Sequence, residues 1–133
     1  MSADIFFDSN IFLYVSSADR EKSELADRLV RNGGNVSTQV LNEFANVARL
    51  KFGLSYAEIR RKLYDIRQIC TVHSLDLETH ELGLNIAERY QFKLYGSMIV
   101  ASALRAGCRT LYTEDLQHGQ TIDGLALRNP FKA

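Results

Sequence analysis

Three acidic residues of this sequence follow or interrupt short apolar segments. Asp8 comes directly after Ile5-Phe6-Phe7, Glu43 lies between Leu41 and Phe44, and Asp115 follows a segment that ends in Tyr112-Thr113-Glu114. In an open parallel sheet the carboxyl ends of neighbouring strands meet along one edge, so acids placed there come close together. Clustered carboxylate oxygens are the ligands that hard cations such as Mg²⁺ and Mn²⁺ prefer. The pattern therefore indicates a metal site formed by Asp8, Glu43 and Asp115.

Each acid also has an ordinary structural interpretation. An aspartate after a strand often caps a turn or helix, so Asp8 fits a turn cap and Asp115 fits a cap of residues 116–119. Glu43, at the edge of an apolar helix stripe, fits a solvated helix glutamate. Three such acids flanking short strands favour a functional site over three separate structural roles.

Composition limits the size of the fold and says little about nucleic acid. A chain of 133 residues with 46% apolar residues suits one domain, which we expect to span residues 1–133. Lys plus Arg equals Asp plus Glu at 16 each, so no overall positive field attracts a polyanion. Local cations do cluster on two predicted helices, where they fit either RNA phosphates or a solvated helix face: Arg49, Lys51, Arg60, Arg61, Lys62 and Arg67.

The sequence predicts no membrane partner. The first residues lack a basic segment followed by an apolar one, and no apolar run approaches the roughly 18 residues of a membrane span. We therefore expect a cytoplasmic protein. Cys70 and Cys108 lie far apart in apolar surroundings and lack the paired spacing of zinc ligands, so we expect buried thiols.

The elements that must position the acids alternate between strand and helix patterns. Strand patterns cover residues 4–7, 36–38, 70–72, 110–113 and 125–127, and helix patterns cover residues 21–31, 39–52, 55–67, 76–90 and 97–106. This alternation predicts an α/β fold with a central parallel sheet of four to five strands.

Several motifs, in this order and spacing, resemble the PIN domain family and within it the VapC toxins. They are Phe7-Asp8-Ser9-Asn10 after an apolar strand, residues 37–43 leading into the helix with Glu43, and residues 95–103, which resemble the family's Tyr-Asp-Ala-Leu-Ile-Val-Ala-Ala. Residues 111–120, with Thr-Glu-Asp-Leu-Gln-His-Gly-Gln, and the closing Asn129-Pro130-Phe131 complete the resemblance. It covers nearly the whole chain.

The resemblance implies a metal-dependent endoribonuclease with a three-layer α/β/α fold. Such a protein uses Mg²⁺ or Mn²⁺, cleaves RNA, is usually a homodimer and is held inactive by a VapB-type antitoxin encoded beside it. Asp8, Glu43 and Asp115 match the family's ligand positions. Their neighbours Ser9, Asn10 and Thr113, and the loop residue His118, are the candidates for substrate binding, although a loop histidine is also a common surface residue. Glu114 fits either the site or a supporting role.

Gly96 departs from the family pattern, which has an aspartate at this position. We expect the missing acid to weaken or abolish catalysis, whether it arose by deliberate inactivation or as a natural variant. A purely local interpretation is that the helix starts with Ser97 as its cap and that Gly96 makes a turn.

Two functions of different class follow. The first is an endoribonuclease toxin impaired at Gly96, and the second is a catalytically dead PIN-like module that binds RNA or an antitoxin. A DNA nuclease of the flap type is a third interpretation, disfavoured because this short chain has no additional arch or clamp segment.

Overall fold

The computed structural model describes residues 3–132, and its centre is a six-stranded sheet. The strands lie in the order β3-β2-β1-β4-β6-β5, and all neighbours are parallel except β5 and β6. Their bounds are β1 (Ile5–Phe7), β2 (Gly34–Ser37), β3 (Cys70–His73), β4 (Thr110–Tyr112), β5 (Thr121–Ile122) and β6 (Leu125–Arg128). The α/β class and the parallel sheet are confirmed.

The sheet has six strands rather than the four to five expected, because β5 forms a hairpin with β6. Ile122 pairs with Leu125, and the two residues between them, Asp123 and Gly124, both have positive φ, at 47° and 87°. A two-residue loop with positive φ at both positions matches the twist of the strands it joins. The Asp-Gly pair was the sequence signal for this hairpin.

Within residues 3–132, six helices accompany the sheet: α1 (Ser9–Val15), α2 (Arg20–Val30), α3 (Thr38–Leu50), α4 (Tyr56–Ile69), α5 (Leu77–Tyr90) and α6 (Leu94–Arg105). The sequence did not predict α1, because Ile11 to Tyr14 is continuously apolar and shows no helical period. None of the helices within residues 3–132 is long and apolar enough to cross a membrane.

The core covers both faces of the sheet. Phe6 and Phe7 are consecutive residues of β1, so their side chains point to opposite faces, and both are fully buried. Helix α6 is buried throughout its middle, from Ser97 to Ala103, so it belongs to the core. Cys70 and Cys108 are free and buried, as expected, and burial raises the pKa of each thiol to about 11.

Candidate active site

Asp8 joins β1 to α1 and lies almost completely buried. Its Oδ1 accepts a hydrogen bond from the backbone N–H of Ser9 at 2.6 Å, so it caps α1 rather than the turn that the structural interpretation predicted. Its Oδ2 accepts a second hydrogen bond from the hydroxyl of Thr113 at 2.7 Å. Asp8 therefore belongs both to a helix start and to the end of β4.

The charge of Asp8 is destabilised by its surroundings. Burial raises the pKa of this carboxyl to about 6, and the hydrogen bonds from Thr113 and Ser9 offset only part of that effect. The negative charges of Glu43 and Asp115 raise the pKa of Asp8 further. A nearby cation would therefore stabilise the ionised form of Asp8.

Glu43 is brought to the same region by the start of α3. The hydroxyl of Ser37, the last residue of β2, accepts a hydrogen bond from the N–H of Val40 at 3.2 Å and so begins α3 directly after the strand. Glu43 lies in the second turn, half-buried, and accepts a hydrogen bond from Gln39 Nε2 at 2.8 Å. Burial raises its pKa, and the charge of Asp115 adds to this.

Asp115 follows β4 and is exposed. Its Oδ2 accepts a hydrogen bond from Asn10 Nδ2 at 3.2 Å, and its backbone N–H donates to Thr113 Oγ1 at 3.2 Å. The alternative role as a cap of residues 116–119 is wrong, because no backbone N–H of that described segment donates to the Asp115 carboxylate, whose partner is Asn10.

The three acids follow neighbouring strands, since β2, β1 and β4 are adjacent in the sheet. The charges of Glu43 and Asp115 raise the pKa of Asp8, and the charge of Asp115 raises the pKa of Glu43, yet among residues 3–132 no group of three or more Asp, Glu, His or Cys side chains lies close enough to hold one metal ion. Mg²⁺ binds commonly through one or two carboxylates and keeps several waters, so the oxygen donors fit a hydrated hard cation rather than a closed ligand cage.

Gly96 lies in the first turn of α6. The helix begins at Leu94, its N-cap residue Lys93 makes no side-chain capping bond, and the first turn holds no acid. The hydroxyl of Ser97 donates to the carbonyl of Lys93 at 2.9 Å from inside the helix. The expectation of a helix that starts with Ser97 as its cap, after a turn at Gly96, is therefore wrong.

Neither backbone conformation nor packing requires glycine at position 96. A Cβ added there would contact only Leu116 Cδ2, at 3.4 Å, whereas a Cβ at Gly34 or Gly83 would come within 2.7 Å or 2.5 Å of a neighbouring atom. The other five glycines have positive φ: Gly33, Gly53, Gly107, Gly119 and Gly124. Position 96 is open to a side chain that would face the segment following Asp115.

The four residues expected to bind substrate differ in position. Ser9 and Asn10 lie beside the acids, but Thr113 is fully buried and bridges Asp8 and Asp115, which fits an orienting role better than contact with substrate. His118 Nδ1 accepts a hydrogen bond from the backbone N–H of Asn129 at 3.0 Å. His118 therefore secures the segment after β6 and does not line the cavity at the acids.

Glu114 belongs to a group of contacting residues that the sequence did not predict. Its carboxylate accepts from the hydroxyl of Tyr14 at 2.9 and 2.7 Å, and Lys22 Nζ lies 3.7 Å from its Oε2. The ring of Phe131 packs against that of Tyr14, with ring centroids 4.5 Å apart. Tyr14 is one helical turn from Asn10, a spacing that would have been visible had α1 been predicted.

A cavity of about 910 Å³ opens beside the acids. We call it the α1–α3 groove. It is lined by α1, residues 16–18, α3 with the turn that follows it, Glu58 and Lys62 of α4, and residues 114–115. Glu43 and Asp115 both line it, so their carboxylates are accessible to a ligand in the groove.

Comparison with known proteins identifies the family and the fold. The PIN domain family model matches residues 5–121. A toxin–antitoxin complex from Klebsiella pneumoniae has a chain that is 19% identical with a TM-score of 0.74, and the match covers 97% of this chain and 99% of that one. Mycobacterium tuberculosis VapC20, a toxin that cleaves the sarcin-ricin loop, is 15% identical over 84% of this chain and 89% of that one, with a TM-score of 0.70.

A third similar structure is VapBC2 from Rickettsia felis bound to a DNA fragment from its promoter. It is 17% identical over 94% of this chain and 97% of that one, with a TM-score of 0.66. At such low identities these structures show the fold alone. No curated protein sequence matches significantly. Because the family model matches most of the chain, this protein belongs to the PIN domain family.

Proposed function

We propose that this protein is a metal-dependent endoribonuclease toxin of a type II toxin–antitoxin system whose catalysis is impaired by Gly96. The observation that carries the proposal is the placement of Asp8, Glu43 and Asp115 after three adjacent strands, where the charges of Glu43 and Asp115 raise the pKa of Asp8. PIN domains are generally nucleases, and the similar structures named above include toxins of toxin–antitoxin pairs, which supports the same class.

Asp8, Glu43 and Asp115 are the residues that would hold a hydrated Mg²⁺ or Mn²⁺, some of them through its water ligands, because the three carboxylates do not lie close enough to bind one ion directly. Such an ion supplies an activated water and a positive charge for the transition state of phosphodiester cleavage. The acids fit this role because burial and mutual repulsion raise the pKa values of Asp8 and Glu43, so a cation would stabilise their ionised forms.

The surrounding residues orient these acids. Thr113 holds Asp8 through its hydroxyl and accepts from the N–H of Asp115, and Asn10 holds the Asp115 carboxylate. Groups that hydrogen-bond to metal ligands fix their direction and contribute to metal affinity. An aspartate at position 96 would add a fourth acid at the N-terminus of α6, where the helix dipole favours negative charge.

The test is to restore the acid. Gly96→Asp should show Mn²⁺- or Mg²⁺-dependent cleavage of single-stranded RNA and should be toxic on expression, whereas the present chain cleaves weakly or not at all. Gly96→Asn is the matched control, because it adds nearly the same volume without the charge. Adding Asp8→Asn to the Gly96→Asp form should abolish cleavage. Equal metal-dependent cleavage by the present chain and the Gly96→Asp form would show that position 96 carries no ligand.

We propose an antitoxin of VapB type as the partner, because one similar structure is a toxin–antitoxin complex and another is VapBC2. A small gene next to this one whose product co-purifies with the chain and suppresses the toxicity of the Gly96→Asp form would support this. We also propose that residues 1–133 form one domain and that the protein is a cytoplasmic homodimer. Light scattering in solution and a single cooperative unfolding transition check the oligomer and the domain.

The second candidate function is a catalytically dead module that binds RNA or an antitoxin. The absence of an acid in the first turn of α6 favours it. If neither the present chain nor the Gly96→Asp form cleaves RNA in Mn²⁺ but both bind RNA or an antitoxin, this second function replaces the first.

A further inference from the structure

The side chain of Asp115 is only weakly restrained by its own contacts. It is exposed, and within residues 3–132 its carboxylate has one hydrogen-bond partner, Asn10 Nδ2, at 3.2 Å. That distance is at the long end of the usual range for an N–H···O hydrogen bond. The direction of the Asp115 carboxylate therefore depends on how firmly the backbone that carries it is held.

Glu114 holds that backbone against α1. Its N–H donates to Asn10 Oδ1 at 3.4 Å, and its carboxylate accepts from the hydroxyl of Tyr14 at 2.7 Å from Oε2. Each residue has only two soft backbone dihedrals, because the peptide bond is planar. Restraining Glu114 at both its backbone and its side chain therefore also restrains the position of Asp115.

Phe131 in turn holds Tyr14. The centroids of the two rings lie 4.5 Å apart at an interplanar angle of 54°. Lys22 Nζ lies 4.8 Å from the centroid of Tyr14 and 5.7 Å from that of Phe131, within reach of a cation–π attraction to both. The same ammonium lies 3.7 Å from Glu114 Oε2. The side chain that anchors Glu114 is therefore packed between an aromatic ring and a cation.

The segment after β6 contacts residues 114–118 at both ends. The N–H of Asn129 donates to His118 Nδ1 at 3.0 Å, and the N–H of Phe131 donates to Asn129 Oδ1 at 2.9 Å. The other end, at Glu114, is reached through Tyr14. Phe131 does not line the cavity beside the acids, so it can act on them only through its neighbours.

We propose that Phe131 is a positioning residue for Asp115. By packing on Tyr14 it keeps the Tyr14–Glu114 hydrogen bonds formed, and it thereby fixes the direction in which the Asp115 carboxylate faces a metal ion. The inference rests on the proposed function, because it takes Asp115 as a metal ligand. A purely structural aromatic contact would stabilise the fold without changing the affinity of the folded protein for the ion, so the two roles can be separated.

The experiment uses the full chain and two measurements. Backbone ¹⁵N relaxation in EDTA gives the order parameters of residues 114–118, and the electron paramagnetic resonance signal of free Mn²⁺ gives the affinity for the ion. The test variant is Phe131→Ala, and Phe131→Tyr is the conservative variant. Phe92→Ala is the matched control, because Phe92 is also partly buried and stacks on a tyrosine, Tyr90, with ring centroids 5.7 Å apart.

Phe131→Ala should lower the order parameters of Glu114 and Asp115 from about 0.85, typical of rigid backbone, toward about 0.6. It should weaken Mn²⁺ binding by about three- to tenfold, because it acts less directly than a group bonded to a ligand, whose loss costs about 10–100-fold. Phe131→Tyr should behave as the unchanged chain does. Phe92→Ala should change neither measurement. In a Tyr14→Phe background, which lacks the hydroxyl, Phe131→Ala should weaken Mn²⁺ binding no further.

Unchanged order parameters at Glu114 and Asp115 in Phe131→Ala would overturn the inference. Lowered order parameters with unchanged Mn²⁺ affinity would also overturn it, since the contact would then be structural only. An equal loss of Mn²⁺ affinity in Phe92→Ala would assign the effect to general destabilisation.

The same measurements separate this inference from the proposed function. If the unchanged chain binds no Mn²⁺ but Phe131→Ala loosens Glu114 and Asp115, the metal-dependent function fails and the positioning of Asp115 stands. A selective loss of Mn²⁺ affinity in Phe131→Ala, without RNA cleavage by the Gly96→Asp form, removes the ribonuclease function alone.

Discussion

The hydroxyl of Tyr14 donates to the carboxylate of Glu114, at 2.9 Å from Oε1 and 2.7 Å from Oε2, one helical turn beyond the residue that holds Asp115. Asn10 donates to Asp115 Oδ2 at 3.2 Å, and its Oδ1 accepts from the N–H of Glu114 at 3.4 Å. One face of α1 therefore holds two consecutive residues at the end of β4. The direction of Asp115 depends on a helix more than 90 residues earlier in the chain.

Tyr14→Phe should lower the free energy of unfolding by about 1 kcal/mol, since it removes a hydrogen bond to a charged group that is partly exposed. The effect should disappear in a Glu114→Ala background, which removes the acceptor, if the two residues act as a pair. Urea unfolding monitored by circular dichroism measures it. Tyr64→Phe removes an exposed hydroxyl and is the control, so an equal loss there would contradict a specific Tyr14–Glu114 contribution.

Asn10→Ala should weaken Mn²⁺ binding by about tenfold, which is the usual effect of removing a group that orients a metal ligand. Titration calorimetry or the electron paramagnetic resonance signal of free Mn²⁺ measures this directly, independently of cleavage. Asn42→Ala is the control, because Asn42 is an exposed residue of α3 next to Glu43. Unchanged Mn²⁺ affinity in Asn10→Ala would mean that Asp115 is not a ligand or needs no orientation.

The strands of the sheet and the positions of the three acids beside them could be predicted because the sequence patterns that indicate them are local. The apolar segments that precede Asp8 and Asp115 predict strands with acids at their ends. The helix with Glu43 shows a clear apolar stripe. The network around Glu114 gave no such signal. It joins Tyr14, Lys22 and Phe131 from distant parts of the chain, and its first member lies on a helix without an amphipathic pattern.

Contacts between distant parts of the chain also determine the surroundings of His118. A loop histidine just after an acidic strand end fits substrate binding or the more common role of a surface hydrogen-bonding residue, and the sequence does not show that the N–H of Asn129 donates to its ring. The surroundings of Gly96 likewise depend on contacts that the sequence does not show. The sequence identified it as a departure from the family, but the space around it became visible only with the position of Leu116.

The stability of the metal-free protein should fall as pH rises from about 4 to 6. The folded state raises the pKa of Asp8 from 3.8 to about 6, mainly through burial, so in this window the folded protein binds a proton that the unfolded chain has released. The free energy of unfolding then decreases with pH, by up to about 3 kcal/mol for a shift of this size. Urea unfolding at a series of pH values in EDTA measures the slope.

Asp8→Asn provides the control for this pH dependence, because it cannot ionise. The difference in unfolding free energy between the variant and the unchanged chain should shift in favour of the variant as pH rises from about 4 to 6 and then level off, since the unchanged chain buries a charge once Asp8 is ionised. A constant difference from pH 4 to 7 would show that Asp8 titrates normally in the folded protein. Adding Mn²⁺ should stabilise the unchanged chain more at pH 7 than at pH 5, because the ion competes with the proton at Asp8.

Two helical glycines should respond in opposite directions to the same substitution. Gly83→Ala places a Cβ 2.5 Å from Met98 Sδ and 3.3 Å from Met98 Cα, where α5 packs on α6. The sulfur can move but the backbone of α6 cannot, so overpacking should lower the free energy of unfolding by about 1–3 kcal/mol. Gly96→Ala meets only Leu116 Cδ2 at 3.4 Å and should raise it by up to about 1 kcal/mol, because alanine restricts the unfolded chain and favours helix.

Thermal and urea unfolding of both alanine variants, in EDTA, test this pair. Neither substitution introduces a charge, and EDTA removes metal ions. The measured change in unfolding free energy therefore reports only the packing and backbone effects of the added Cβ at each position. A stabilised Gly96→Ala protein would show that folding does not require glycine at this site, so its presence must be explained by function or by loss of function. A Gly96→Ala protein that is as destabilised as Gly83→Ala would instead mean that the start of α6 requires glycine for packing, and the interpretation of position 96 as a vacant ligand position would fail.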